Sequence, residues 1–585
     1  MKTKLFFIAL IGLFCLTAQA QTFQKQVQRN SDIYHDLNLD IIEDGTTDFI
    51  VASNIFDTGM NNSEISLKRM DENGNIVWAK QYSDSSLQNA RVFDVANMFD
   101  TVVITGSIDV AGTKRTFIAK IEAATGNVLN VKYFDIVSPN FNSTGLNIAY
   151  TNTDATGNGT SDPGFVVGGF FSGCYDLDYL CNLNIGYVLR VDDSLNVLWT
   201  TEVDTSVNSN SDYDFINKIT ETSDGFFLTG SATGLTQLGF ERQGALAYLI
   251  DYEGNTVWNS SYIFGNSRDV SVDAYYEPTT GNIYMLSNYS SMHNFGITVF
   301  DPNGTIINSL SWVINSGDLD RYGFTLKESI NSSNNLVVFG YDRNENWANA
   351  AGVNQIGQSN VIVYEFEKAT GNQISINYQY LTPHIEMPGD EYNFWNGQMP
   401  LIYYPDMATV LNNNQGSPGD YLTTGYRTPT GTQVTFAEIT KTSDKLNMCH
   451  NRELTLPHTS IAVTNISVSS GSVSTVDGPM NVTGSNYTYN LNDCGTTMGT
   501  EDNINNKTGG LYPNPATDQL TVYLGQDSIK SFMVHSVLGQ QVASKNLKGS
   551  NKKTTLDVSA LKTGIYFITV ANSINQSQTF KFIKD

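Results

Sequence analysis

Asp224-Gly225-Phe226-Phe227-Leu228-Thr229-Gly230-Ser231, followed by Leu246-Ala247-Tyr248-Leu249-Ile250-Asp251-Tyr252-Glu253-Gly254-Asn255-Thr256-Val257-Trp258, is the fullest copy of a unit that recurs along the chain. Its apolar runs are short, β-branched and aromatic, and turn residues bound them, which is the pattern of strands. Glycine after the second strand allows a bulge or close backbone approach. Gly-Asn at the turn supplies positive φ at little steric cost. The turn recurs at Asp71-Glu72-Asn73-Gly74-Asn75, Ala124-Thr125-Gly126-Asn127, Asp192-Asp193-Ser194-Leu195-Asn196, Asp301-Pro302-Asn303-Gly304 and Ala369-Thr370-Gly371-Asn372, and in degraded form at Thr442-Ser443-Asp444-Lys445. Successive turns lie 50 to 73 residues apart. An all-strand period of that size points to an all-β propeller built of four-stranded blades.

Seven turns make seven blades the leading count for residues 21–447, with six and eight left open by long insertions in units three, six and seven. Phe23-Gln24-Lys25-Gln26-Val27-Gln28 resembles a fourth strand (compare Trp78-Ala79-Lys80-Gln81-Tyr82) yet precedes any unit. We expect it to pair near Val434–Ile439 and close the ring, removing exposed sheet edges. Trp78, Trp199 and Trp258 stand at one place in the repeat, which reads as packing between blades. The unit resembles the repeats of bacterial extracellular propellers and, loosely, quinoprotein propellers. From Cys449 to Gly510 the chain turns Ser-, Thr- and Asn-rich, with alternating runs at Ile461–Val468 and Tyr487–Leu491. That region, 448–510, reads as two or three strands against the propeller followed by a linker over Thr496–Gly510.

The last segment differs in charge. Residues 511–585 hold eight Lys and four Asp, a net +4, in a chain of net charge −25. With the two lysines of the first twenty residues set aside, 21–510 carries −31. Such a balance disfavours nucleic acid and anionic membrane surfaces, both of which are bound through Lys and Arg. It permits cationic partners, metal ions and neutral glycans.

The tail opens with Leu511-Tyr512-Pro513-Asn514-Pro515-Ala516 and passes through Val534-His535-Ser536-Val537-Leu538-Gly539-Gln540. It continues with Leu556-Asp557-Val558-Ser559-Ala560-Leu561-Lys562-Thr563-Gly564-Ile565-Tyr566 and ends Thr579-Phe580-Lys581-Phe582-Ile583-Lys584-Asp585. Short alternating strands between such turns suggest a small Ig-like β-sandwich. The segment resembles the C-terminal sorting domain of type IX (Por) secretion cargo in Bacteroidota, departing from the usual pattern only at His535. The resemblance implies sorting residues Tyr512, Pro513, Asn514, Pro515, Leu538, Gly539, Leu556, Asp557, Leu561, Gly564, Tyr566, Lys581 and Lys584. It also implies recognition at the outer membrane, cleavage by the system's sortase, and release or anchoring at the surface of a Gram-negative cell.

At the other end, Lys2 and Lys4 precede the apolar run Leu5–Leu16, and Ala18-Gln19-Ala20 precedes Gln21. This is the three-part pattern of a signal peptide over 1–20, cleaved between Ala20 and Gln21. No other stretch approaches the roughly 18–20 apolar residues of a transmembrane helix. Export leaves four cysteines, and an even number favours disulfides. Of three pairings we favour the sequential one, Cys174–Cys181 and Cys449–Cys494.

Chemistry is sparse. Nucleophile-elbow, zinc-helix and Walker A motifs are absent, and the six histidines are scattered. Oxygen-rich stretches at Asp71–Asn75 and at Asp154, Asn158 and Asp162 are weak calcium candidates, and no other cofactor is indicated. Trp347 beside Asp342, and Tyr392 and Trp395 beside Glu391, supply the aromatics and carboxylates of carbohydrate recognition. Asp193-Ser194-Leu195 and Asp527-Ser528-Ile529 match a short glycosylation pattern. The leading expectation is a non-enzymatic, secreted or surface binding module for a glycan or protein. The alternatives are a polysaccharide-acting enzyme with its site in the propeller mouth, and a structural adhesion component.

Overall fold

The computed structural model describes residues 23–29, 34–43, 48–57, 63–83, 90–98, 100–137, 141–172, 183–204, 212–235, 241–263, 269–289, 294–311, 319–344, 359–379, 408–412, 418–427, 436–442, 451–453, 459–460, 464–466, 469–472, 475–479, 483–486, 489–493, 509–524, 528–536, 540–572 and 577–584. The chain divides into two compact units, Met1–Thr496 and Thr497–Asp585. Strands make up the regular structure of both.

In the first unit the repeat becomes a set of antiparallel meanders. The copy quoted above gives Phe215–Glu221, Phe226–Leu235, Glu241–Ile250 and Thr256–Ile263, paired in chain order. Among the described residues there are seven such sheets. The first strand of each packs on the sheet before it, and Tyr34–Glu43 of the first packs on the seventh, so the contacts run in a cycle. Aliphatic and aromatic side chains fill the spaces between successive sheets.

Closure follows the expected route. The seventh sheet has Ala408–Asn412, Pro418–Arg427 and Phe436–Thr442, and takes Phe23–Arg29 as its fourth strand, with Lys25 opposite Ile439 and Val27 opposite Ala437. This explains the degraded seventh turn. Thr442 ends a strand whose hairpin partner comes from the other end of the chain, so no tight turn is required there.

The region after Thr442 corrects the expectation of two or three strands. Among the described residues it contributes seven short ones, one to each sheet. Asn451–Glu453 joins the sixth sheet, then Thr459–Ser460 the fifth, Thr464–Ile466 the fourth and Ser469–Ser472 the third. Thr475–Pro479 joins the second, Thr483–Asn486 the first, and Tyr489–Asp493 the seventh, beside Phe23–Arg29. The segment is a strap that visits every outer edge in turn. Each piece is two to five residues long, too short for period-two alternation to mark it. Edge pairing needs backbone alone, so Ser, Thr, Asn and Gly suffice.

The second unit has a three-stranded sheet (Gly509–Tyr512, Gln519–Leu524, Lys553–Asp557) and a four-stranded one (Gln541–Asn551, Ile529–Ser536, Gly564–Asn572, Ser577–Lys584). Leu520, Val522 and Leu556 of the first, with Val558 just past its last strand, cluster with Phe532, Val534, Tyr566, Ile568, Val570 and Phe582 of the second. Gly509 and Gly510, assigned above to the linker, belong to its first strand.

Candidate functional sites: the joints of the ring and the tail

The turns that gave the repeat its register are held by their own side chains. The Asp71 carboxylate accepts the backbone N–H groups of Asn73 (2.9 Å) and Asn75 (2.8 Å) and the Asn75 side-chain amide (2.9 Å). Asp251 accepts in the same way, and Asp301 accepts the backbone N–H groups of Asn303 and Thr305. At Gly126 and Gly371 the turn is one residue longer, closing from Glu122 to Asn127 and from Glu367 to Asn372, and the glutamate carboxylates accept from Thr125 and Thr370. The calcium reading of Asp71–Asn75 thus meets a carboxylate already occupied by its turn.

These turns also join the sheets. Trp78 of the first sheet donates its indole N–H to Ala123 O (3.0 Å) of the second, and Trp199 of the third donates to Tyr252 O (3.1 Å) of the fourth. A Cβ on Gly126 would lie 3.0 Å from the Trp78 ring, one on Gly254 2.9 Å from Trp199, and one on Gly304 2.5 Å from Trp258. The turn glycine is required twice, for positive φ and for the tryptophan beneath it. The second sheet carries Asn130 at the tryptophan position, opposite Lys120 as Trp78 is opposite Arg69. The next turn then has Leu195 in place of glycine, at φ 63° and fully buried. Bulk lost from one sheet is returned by its neighbour.

Nearer the middle of the ring, the first strand of each of six sheets carries a β-bulge at a corresponding place. A bulge frees backbone groups from the ladder, and neighbouring sheets take them. Asn54 donates to Val92 O (2.9 Å) and accepts from Val92 N–H (2.8 Å), and Asn288 does the same with Gly323. The residue after the bulge serves the following sheet. Asp94 accepts Ile148 N–H (2.7 Å), Asn147 accepts Ile219 N–H (2.9 Å), and Asp273 accepts Leu326 N–H (2.7 Å). Asp94 and Asp273 are buried. These carboxylates read physically as joints. Sequence inspection missed them because the residue type changes from sheet to sheet; the bulge, rather than any motif, is the common element.

The loop 152–163 contains Asp154, Asn158 and Asp162. Asp154 accepts backbone N–H from Thr156 (3.1 Å), Asn158 (3.3 Å) and Gly159 (2.5 Å). A desolvation effect that raises its pKa is outweighed by these donors, which hold the carboxyl below its ordinary range. Asp162 accepts Ala155 N–H (3.0 Å), and its carbonyl takes a hydrogen bond from the buried Arg190. Burial pushes the Arg190 guanidinium down to about 10. The three candidate ligands are engaged within the loop, and no group of three or more metal-ligating His, Cys, Asp or Glu occurs among the described residues. Asp342 lies on Asn335–Asn344, opposite Arg321 and Asn360. Trp347, Glu391, Tyr392, Trp395, the four cysteines, Ala20 and Gln21, and Leu538 and Gly539 lie outside the described residues.

In the tail, the motif residues form the frame of the sandwich. Asn514 accepts Ile583 N–H (2.8 Å) and Ala516 N–H donates to Ile583 O (2.8 Å), so the Pro513-Asn514-Pro515 loop is fastened to the last strand. Both X–Pro bonds, Tyr512–Pro513 and Asn514–Pro515, are cis. Asp557 accepts Ser559 N–H (2.9 Å) and its hydroxyl (2.5 Å), which keep the carboxyl below its usual range. Leu561 N–H closes that turn on Val558 O (3.0 Å). Tyr566 donates to Lys562 O (2.9 Å), and its ring stacks on Phe582 at 5.6 Å. Lys581 is exposed and Lys584 buried.

Among known proteins, no curated relative matches the chain. Solved structures similar to it include a protein of unknown function from Dyadobacter fermentans DSM 18053, 11% identical over 72% of this chain and 99% of that one, with a TM-score of 0.34. Others are Sqt1 from Chaetomium thermophilum (8%, covering 72% and 100%, TM-score 0.33) and the phage phi92 endosialidase (9%, covering 95% and 87%, TM-score 0.32). At such scores the fold rests on strand order and pairing alone. Among the described residues no helix is long and apolar enough to cross a membrane. Residues 510–585 match the model of the secretion system C-terminal sorting domain. The chain is therefore a β-rich cargo protein of type IX secretion, destined for release or for the outer surface of the cell.

Proposed function

We propose that the body is a closed seven-bladed propeller acting outside a Bacteroidota cell as a non-enzymatic binding module for a glycan or protein, with an Ig-like sorting sandwich as its tail. The observation that carries this reading is the use made of carboxylates. Those of Asp94 and Asp273 hold neighbouring sheets together, and those of Asp71, Asp251 and Asp301 hold turns. Glycoside hydrolysis needs two carboxyl groups free to face a substrate, whereas these are spent on architecture. Binding falls to the long connections after the second and fourth strands, which carry Trp347, Glu391, Tyr392 and Trp395, with Asp342 on the strand leading to one of them. A glycan array probed with the full chain, with calcium and with chelator, tests this. Binding that drops on Trp347→Ala or Trp395→Ala supports it, and turnover of a polysaccharide substrate would overturn it.

The strap gives the favoured cysteine pairing a purpose. Cys449 stands two residues before the strand on the sixth sheet, and Cys494 one residue after the strand on the seventh. Those sheets are neighbours in the cycle, so a bond between the two cysteines makes the strap a closed hoop. Such a bond adds about 2–4 kcal/mol. Peptide mapping without reductant that recovered both cysteines as free thiols would refute it.

A further inference from the structure

The tail sandwich has two outer faces of different character. On the three-stranded sheet, Thr521 and Thr555 hydroxyls lie 3.1 Å apart. Tyr512 and Tyr523 rings sit 6.3 Å apart, with the Lys553 ammonium 6.0 and 5.8 Å from their centres. That face is polar and engaged with itself.

The four-stranded sheet carries apolar side chains on both sides, those outside interleaved with Ser544, Thr569, His535 and Lys581. Phe532, Val534, Tyr566, Ile568 and Phe582 point into the core. Alternation puts their neighbours outside, where Met533 is 43% exposed, Ile565 39%, Phe567 39% and Ile583 40%. These four are contiguous. Ile565 is opposite Ile583, Phe567 is opposite both His535 and Lys581, and Met533 is one register step further along. Gly564-Ile565-Tyr566-Phe567-Ile568-Thr569-Val570 reads as a strand covered on both faces. Water meets one of them here. Scattered exposed aliphatics are ordinary, but a contiguous set on one sheet marks a contact surface. Exposed Lys581 stands within the set, in a segment of net charge +4 that has no Arg or Glu.

We propose that this face, centred on Phe567 and Lys581, is where the sorting domain docks on its receptor in the export machinery. The receptor surface it fits is a protein patch that is apolar at the centre and rimmed by carboxylates. Phe567 is the anchor, Met533 and Ile583 widen the apolar contact, and Lys581 fixes register through charge. The face opposite, which carries the Thr521–Thr555 pair and the tilted Tyr512 and Tyr523 rings, stays free.

The test uses the full chain in a bacterium with a working type IX system. Phe567→Asp is expected to lower the extracellular protein at least about tenfold, as loss of an interface anchor does, while Thr521→Asp leaves it unchanged. Lys581→Glu is expected to fall between them. Because Phe567→Asp could perturb folding, benzoylphenylalanine placed at 567, which keeps an aromatic ring there, provides the second measurement. Illumination should join the chain to an outer-membrane component of the machinery from 567 and not from 521. Normal secretion of Phe567→Asp would overturn the proposal. So would adducts from 567 only to a second copy of the chain, or only to its own body. Failure here would leave the sorting assignment standing, since deletion of the whole tail tests that separately.

Discussion

The ring and the tail solve the same problem in opposite ways. Both are antiparallel sheets, and antiparallel sheets have edges and faces to account for. In the ring, the sheets bury their faces against one another, Phe23–Arg29 completes the seventh sheet, and the strap pairs part of every outer edge. In the tail, two sheets share one core and the outer side of the four-stranded sheet remains apolar and open to water. The lesson is that a protein can separate durability from recognition. The acidic body puts its hydrogen-bonding capacity into closure, and the basic tail leaves one surface unfinished for a temporary partner.

The most severe way to break this comparison is to remove the tail. Deletion of 511–585 should abolish extracellular protein while the body still folds and accumulates inside the cell, as read by fractionation and thermal melting. Secretion of the truncated chain would show that the body carries its own address. Next in size is a challenge to closure. Val27 lies between Ala437 on one side and Leu491 on the other, and proline in such a central strand removes a ladder hydrogen bond and is confined to edges and bulges. Val27→Pro should therefore lower the melting temperature of the body and leave that of the tail where it was. An unchanged body would mean that the first strand contributes little to the ring.

Smaller changes sharpen what closure consists of. Leu195→Ala should destabilise the body by about 2–4 kcal/mol, the usual cost of emptying a buried leucine site. Gly254→Ala, at the matching turn, should cost about 1–3 kcal/mol through strain at φ 86° and contact with Trp199. Gly112→Ala is the control. It has φ 85° and nothing within 4 Å of the new Cβ, so only the conformational part of the cost should appear in denaturant titration.

The smallest expected effect lies in the tail. The Asp557 carboxyl is held below its ordinary pKa in the fold, so its contribution is present above the unfolded pKa and fades as pH falls through the folded one. Asp557→Asn should flatten the acid limb of the tail's melting profile. An unaltered limb would reduce its hydrogen bonds with Ser559 to decoration.

What could be read from sequence was whatever depends on short spacing. The Gly-Asn turns, the tryptophans at a fixed distance from them, the orphan strand at Phe23 and the Pro-Asn-Pro and Leu-Asp-Val-Ser blocks all carry their partners within a few residues or repeat a common pattern. The joints between sheets were not legible, because Asp94, Asn147 and Asp273 share a place relative to a bulge and not a residue type. The strap was hidden for a different reason. Its strands are defined by what they lie against, and nothing in Thr-Asn-Ile or Ser-Ser-Gly-Ser announces an edge. Leu195 passed in the sequence as one more copy of the turn, and its meaning appears once Asn130 is seen at the tryptophan position of the sheet before it.

The placement of Phe23–Arg29 also sets an order of events. It is made first, yet its neighbours in the finished sheet are Phe436–Thr442 and Tyr489–Asp493, separated from it by most of the body. Contacts at such separation form slowly, because the chain between them must be gathered before they repay its entropy. Until residue 442 is available Phe23–Arg29 has no partner in the seventh sheet, and until residue 493 that sheet lacks its fifth strand. An incomplete chain would therefore present open edges and a loose end instead of a locked body. Completion of the fold becomes a measure of whether the whole chain has arrived.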